Sequence, residues 1–306
     1  ITAPNISRLF SEMLAIWTIT FWQSIGSPKK FNLIELGAGD GEMMRVLIET
    51  FKNFPEFFNS CNFIIHEKSN RLITIQKKNI NYDKISWIKS LEKINSSPTI
   101  FLANEFFDAI PVKQLFKKKG EWFERYVDLK ELKFTEKKTN IKKLEKDLGF
   151  EISKKQNIVE YAPDAFKYLK FICEFIQNKN GGILIIDYGY SKPKMYNSLQ
   201  AIKNHKFSNI LENIGETDIT YNISFQLFKK FTSKFNDIKS ILTTQKKFLS
   251  NMGIMKRAEI LSKKQPFSKK ADIFYRIRRL IDEKQMGELF KVMLIKKKRN
   301  KFKTGF

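Results

Sequence analysis

The stretch Phe31-Asn-Leu-Ile-Glu-Leu-Gly-Ala-Gly-Asp-Gly41 decides how the rest of the chain is read. A short apolar run ends in an acidic residue and a leucine. Three glycines then alternate with other residues, and a helix-periodic segment, Glu42 to Phe54, follows at once. This is the pattern of a strand, a tight turn and a helix. Glycines let the backbone turn sharply and let a ligand approach with no Cβ in the way. The new helix N-terminus points unpaired N–H groups at whatever binds there.

The spacing is Gly-x-Gly-x-Gly, which differs from the Gly-x-Gly-x-x-Gly of dinucleotide sites. Glu35, ahead of the first glycine, suits a ligand with an amino group. S-adenosylmethionine carries an α-amino group and a sulfonium, and is the natural candidate. A glycine-rich turn without a ligand is the alternative. Glu67 ends the next strand, where an acidic side chain accepts both hydroxyls of a ribose; an exposed strand-end glutamate is its alternative.

Outward from this loop, strands alternate with helices. Asn62–His66, Ile85–Ile88, Thr99–Ala103 and Ile183–Asp187 read as buried strands, and Leu9–Ile25, Ser69–Asn79 and a segment from about Pro163 read as helices. Such alternation specifies a mostly parallel, Rossmann-like sheet. Val112–Lys118 and Trp122–Leu129, around Gly120, predict an inserted β-hairpin, and the Lys/Glu-rich stretch to about residue 150 carries little periodicity. After a long polar loop come a helix at Phe225–Phe235, a strand at Ile238–Leu242, helices between Lys246 and Glu283, and a last strand at Leu289–Ile295. One elaborated domain is expected: an N-terminal helical segment (1–30), a cofactor-binding half (31–111), a hairpin insertion (112–160) and a C-terminal half of the core with substrate-side helices (161–306).

Asn104-Glu-Phe-Phe-Asp108 follows the fourth strand, and open α/β sheets bind ligands beyond the carboxyl ends of their strands. Two carboxylates and an amide there are costly if buried and unused. A carboxylate pair holds a guanidinium bidentately, which makes Asn104, Glu105 and Asp108 candidate catalytic residues. The alternative for Asp108 is a helix cap. Asp187 and Tyr188 end the fifth strand and are placed on the substrate side, unless they only form a turn at Gly189. His205 and Asp218 lie in the long loop, a candidate lid; for His205 a structural histidine is the alternative.

The composition narrows the partners. Lys and Arg number 56 against 32 Asp and Glu, a net charge of +24, but only 9 of the bases are Arg. Phosphate and groove recognition favour the planar fork of Arg. The lysines are scattered, and the runs Lys117–Lys119, Lys137–Lys138 and Lys296–Lys301 read as solvated hairpins or tail. The charge is therefore read as codon bias, and nucleic acid is not the expected partner. Cys61 and Cys173 are too few for a disulfide framework, and with only His66 and His205 no zinc cluster or other metal site is expected. No run approaches the roughly 18 apolar residues of a membrane span.

Several motifs together resemble one family. Thr2-Ala-Pro-Asn-Ile-Ser7, Glu35-Leu-Gly-Ala-Gly-Asp-Gly41, Ala103-Asn-Glu-Phe-Phe-Asp-Ala-Ile-Pro-Val112, Ile185-Ile-Asp-Tyr-Gly-Tyr190, Ser198-Leu-Gln-Ala201, Gly215-Glu-Thr-Asp-Ile-Thr220 and Met286-Gly-Glu-Leu-Phe-Lys-Val292 resemble the MidA-like family of S-adenosylmethionine-dependent methyltransferases. This family includes the mitochondrial complex I assembly-factor arginine methyltransferase. The resemblance implies a seven-stranded class I methyltransferase fold. It implies cofactor contacts from Glu35, Gly37, Gly39, Gly41, Glu67 and Asn104, and a substrate cleft at Asn104, Glu105 and Asp108. It implies a protein substrate methylated on arginine, with a respiratory complex I subunit as candidate.

The expected location is the cytoplasm for a bacterial member and the mitochondrial matrix for a eukaryotic one. The chain opens at Ile1, and the family carries a further segment of about 50 residues before Thr2-Ala-Pro, so a truncated member is expected. Asn5 replaces a family Glu, Lys89 stands where an Asp is expected near the adenine, and Asn222-Ile-Ser224 replaces His-Val-Asp. These departures keep open a non-catalytic assembly protein as an alternative, and the net charge of +24 keeps open an RNA methyltransferase.

Overall fold

The computed structural model describes residues 2–203 and 206–306. The chain divides into two compact units, one of Ile1–Phe106, Ile172–Tyr188 and Phe235–Phe306, the other of Phe107–Phe171 and Gly189–Lys234.

The first unit is built on a sheet of seven strands in its main path among the described residues. They are β1 (Phe31–Leu36), β2 (Cys61–His66), β3 (Ile85–Ile88), β4 (Thr99–Asn104), β5 (Gly181–Tyr190), β6 (Ile238–Thr244) and β7 (Phe290–Lys297). Their order is β6-β7-β5-β4-β1-β2-β3, and only β7 runs against its neighbours. This is the mostly parallel α/β sheet of the expected class. All six residues of β1 are buried, as both-face burial requires of a central parallel strand. Its one amide, Asn32, is satisfied by Asn95 Oδ1 at 2.9 Å and Thr99 Oγ1 at 3.1 Å. The last two residues of β5 belong to the second unit, where Ile223–Ser224 pairs with them in parallel.

The helix Arg8–Ser24 packs an aromatic face in this unit. Ser7 caps it by accepting from the Leu9 N–H, Trp17 stacks on Phe21 at 5.1 Å, and Trp22 meets Phe57 edge-on at 5.4 Å. Such offset and edge contacts add to the burial of the rings themselves.

The second unit contains the predicted hairpin, Lys113–Lys118 with Glu121–Asp128, within a four-stranded antiparallel sheet that adds Lys133–Lys138 and Ile158–Tyr161. Two stretches read as irregular from sequence are in fact ordered. The Lys/Glu-rich segment forms the strand Lys133–Lys138 and the helix Ile141–Leu148, and the polar loop carries the strands Gln200–Lys203, Lys206–Ser208 and Asp218–Thr220. The hub of this unit is buried Glu160. It accepts from Gln114 Nε2 at 2.6 Å, from the backbone of Ser198 at 3.0 Å and Leu199 at 3.2 Å, and from the Ser198 hydroxyl. The Ser198-Leu-Gln-Ala201 motif therefore satisfies a buried carboxylate.

One charge run also departs from expectation. Lys296 and Lys297 are only 2% and 8% exposed, because β7 continues past Ile295 between β5 and β6. The Lys296 ammonium reaches the Asn300 carbonyl. Its pKa is lowered by burial and by Lys239 and Lys303.

Candidate functional site

The glycine loop leaves the carboxyl end of β1. Gly37, Gly39 and Gly41 all have positive φ, at 65°, 56° and 88°, so each is in a region that side chains rarely enter. Their surroundings differ. A Cβ on Gly37 would lie 2.8 Å from the Phe106 ring, and one on Gly41 2.9 Å from Ile80, so both are glycines for packing. A Cβ on Gly39 would meet nothing within 4 Å, so its face is open. Gly41 starts the helix Glu42–Phe51, whose first N–H bonds Asp40 Oδ1 at 3.1 Å.

Glu35 lies on β1 beside Ile65 of β2 and Leu102 of β4, and is 3% exposed. Burial, reinforced by Asp40, pushes its pKa up to about 8 against the opposing pull of the Met44 N–H. Its Oε2 has no hydrogen-bond partner among the described residues. A buried carboxyl with an unmet oxygen fits a cationic amino group, and the open face of Gly39 fits close approach of a ligand to the backbone. The residues present therefore suit S-adenosylmethionine.

Glu67 follows β2 and is buried. Its Oε1 accepts from the Ser69 N–H at 2.9 Å, and its Oε2 from Gln76 Nε2 at 3.3 Å. Gln76 also donates to the Gly39 carbonyl at 2.9 Å and accepts from the Trp87 indole at 3.0 Å. It was not singled out from sequence. The available signal was a polar residue on the inward stripe of the helix Asn70–Asn79, four residues after Leu72.

At the end of β4, Asn104 Nδ2 donates to Glu105 Oε1 at 3.3 Å, while the buried Asn104 Oδ1 has no hydrogen-bond partner among the described residues. Glu105 has φ +50° and also accepts from the Ala3 N–H at 3.2 Å. The Thr2-Ala-Pro-Asn run thus reaches this region twice, since Asn5 Nδ2 donates to Asp40 Oδ2 at 3.1 Å. An amide can make that bond to a carboxylate and an ionised Glu cannot, so Asn5 is a working exchange at its position. The Glu105 N–H bonds the Ile186 carbonyl, which precedes Asp187. Asp187 is fully buried and accepts from the Tyr188 N–H at 3.0 Å; the Tyr188 ring meets Phe290 at 5.4 Å. Glu35, the glycine loop, Glu67, Asn104, Glu105, Asp187 and Tyr188 therefore share the carboxyl-end side of the first unit's sheet.

In the second unit Asp108 lies in a turn, and no helix follows it before the strand at Lys113. Its Oδ2 accepts from Thr220 Oγ1 at 2.8 Å, and Tyr221 OH bonds the Phe107 carbonyl at 3.0 Å. The Gly215–Thr220 motif thus holds Asp108 instead of a helix doing so. Asp218 is exposed on the strand Asp218–Thr220, and Lys89 is exposed beyond β3. His205 lies outside the described residues.

Residues 13–242 match the family model described as "Putative S-adenosyl-L-methionine-dependent methyltransferase". The chain is similar to the mitochondrial protein arginine methyltransferase NDUFAF7 of Xenopus tropicalis, at 27% identity over 95% of this chain and 74% of that protein. It is equally similar to the human protein of the same name, at 27% identity over 95% of this chain and 71% of that one. A Burkholderia thailandensis protein solved with S-adenosyl-homocysteine bound shares the fold, with a TM-score of 0.75 and 21% identity over 97% of this chain and 78% of that one. With three quarters of its length matched by one family model, the chain belongs to the MidA-like S-adenosylmethionine-dependent methyltransferases.

Proposed function

We propose that this methyltransferase modifies an arginine side chain of a partner protein, and that a respiratory complex I subunit is the partner. The observation that carries the arginine assignment is the Asn104–Glu105 pair at the end of β4. Glu105 is kept at φ +50°, a conformation that costs on the order of 1 kcal/mol or more and persists where the surroundings over-determine it. Beside it Asn104 keeps a buried acceptor without a partner. An acceptor-rich pair of this kind suits a donor-only group, and guanidinium has five N–H donors and no acceptor. Both curated relatives are named protein arginine methyltransferases, which supports the same reading.

When bound, the cofactor supplies a methyl group already activated on a sulfonium. The chain's residues then have to bind, align and exclude water. Glu35, Gly37, Gly39, Gly41, Glu67 and Asn104 hold the cofactor in this proposal. Glu105 orients the guanidinium and keeps its charge away from the attacking nitrogen. Asp108, three residues on in sequence, is the second carboxylate, and it or a water takes the released proton. Asp187, Tyr188 and Asp218 are proposed on the substrate side, with residues 1–306 acting as one methyltransferase domain. Among the described residues no helix is long and apolar enough to cross a membrane. The mitochondrial names of the relatives support the matrix as the site of action.

The test is transfer of a radiolabelled methyl group to purified complex I subunits. Label on an arginine, lost in Glu105→Gln while cofactor binding persists, is the expected result. Label that appears on RNA and on no protein would overturn the assignment.

A further inference from the structure

Two parts of the cofactor region, the glycine loop and Glu67, are tied together by a single side chain. Gln76 is fully buried, although the helix that carries it, Asn70–Asn79, is otherwise half-buried or exposed among the described residues. The indole of Trp87 has a donor and no acceptor, so its 3.0 Å bond fixes the Gln76 oxygen towards β3. The Gln76 NH2 group must then face the other way. Its two hydrogens go to the Gly39 carbonyl at 2.9 Å and to Glu67 Oε2 at 3.3 Å. Both N–H donors of the amide and its oxygen are thus bonded within the protein.

We infer that Gln76 is a positioning residue for the cofactor's ribose. The inference rests on the reading above that Glu67 accepts the ribose hydroxyls. Glu67 is held at both oxygens, by the Ser69 N–H and by Gln76, so its remaining lone pairs have set directions. The same amide holds the carbonyl of Gly39, the loop residue with the open face. Gln76 thereby sets the spacing between the ribose acceptor and the loop over which the ligand lies. Trp87 decides which way the amide points, and a flipped amide would set its oxygen against two acceptors.

The experiment is calorimetry with two probes, S-adenosylhomocysteine and its analogue lacking both ribose hydroxyls. Wild-type protein is expected to prefer the hydroxylated ligand by about 10- to 100-fold, the range of a hydrogen bond to a charged group. Gln76→Met keeps side-chain length and removes the amide, and should bring this preference to within about threefold of unity. Trp87→Phe removes only the orienting donor, at a half-buried position, and should lower the preference by an intermediate factor. If Gln76→Met folds poorly, Trp87→Phe carries the test. Equal weakening of both ligands, with the preference intact, would make Gln76 a packing residue and overturn the inference. A wild-type preference absent, or unchanged in Glu67→Ala, would instead remove the ribose assignment of Glu67, and the role of Gln76 would fall with it.

Discussion

The backbone N–H of Ala3 donates to Glu105 Oε1 at 3.2 Å, across 102 residues of sequence. Ala3 is the first residue of the helix Ala3–Ile6, and Thr2 before it is extended, at φ −80° and ψ 163°. Proline is accepted at a helix's first position, and an extended residue precedes it without strain. Ala3→Pro therefore deletes one donor, and because Ala3 is fully buried the added ring also carries a packing cost that a thermal melt reads separately. It should lower kcat for methyl transfer by about 10-fold, equivalent to roughly 1.4 kcal/mol, while leaving cofactor affinity unchanged. Steady-state kinetics together with calorimetry separates the two effects.

Gly39 and Gly37 should fail in different ways. Gly39→Val adds a side chain on an open face, so the fold is expected to survive with a cost of about 1–2 kcal/mol for its positive φ. Cofactor binding should be abolished. Gly37→Ala drives a methyl group into the Phe106 ring and should lower Tm more than Gly39→Ala does. Thermal melts with and without S-adenosylhomocysteine distinguish them, since only variants that bind gain stability from the ligand.

The Glu35 carboxyl gives a pH signature. Its pKa rises from an ordinary 4.5 to about 8 in the folded chain. Between those values the folded chain holds a proton that the unfolded chain has released. Stability contributed by this group therefore falls as pH rises through the window, by a few kcal/mol at most, and the loss is complete above about 8. Glu35→Gln should flatten that slope in melts from pH 5 to 9. Placing the cofactor's ammonium beside the carboxyl favours its ionised form, so binding at pH 7 should release up to one proton. Calorimetry in two buffers of different ionisation enthalpy measures the release, which should vanish in Glu35→Gln.

Thr220→Val tests the hold on Asp108. The hydroxyl donates to the buried Asp108 carboxyl group at 2.8 Å, and Thr220→Val removes that donor. Denaturant unfolding should show a cost of about 1.5–3 kcal/mol. Asp108→Asn should cost less, since an amide oxygen still accepts from Thr220.

The sheet of the first unit was legible because its central strands are apolar on both faces and its loop is punctuated by glycine. The positions of Glu35 and Glu67 were legible because each lies where an apolar run ends, but the burial of Glu67, against the alternative of an exposed strand-end glutamate, depends on partners such as Gln76 that the sequence does not reveal. The helix Ile141–Leu148 was hidden by its own inward face. Its buried positions are Ile141, Glu145 and Leu148, at helical spacing, but the middle one is charged. Glu145 is buried because its carboxylate takes the N–H groups of Ile152 and Ser153 and the Ser153 hydroxyl, partners that sequence periodicity does not reveal. The strand Lys133–Lys138 was hidden similarly, since Phe134, its one large apolar residue, is exposed. Gln76 was missed for a related reason: hydrophobic patterning looks for apolar residues on an inward stripe, and here an amide fills it.

The pairing of β4 with β5 also bears on how the chain is made. β4 ends at Asn104 and its partner begins at Gly181, so the ribosome must add the 76 residues 105–180 between them. At the usual 5–20 residues per second that is an interval of about 4–15 s. Throughout it, the apolar run Ile100-Phe-Leu-Ala103 is an unpaired edge, the kind of strand that templates aggregation in a nascent chain. Demand on chaperones is therefore expected while the segment between β4 and β5 is being translated, and again while β5 waits for β7, since the 99 residues 191–289 separate Tyr190 from Phe290, the first residue of β7.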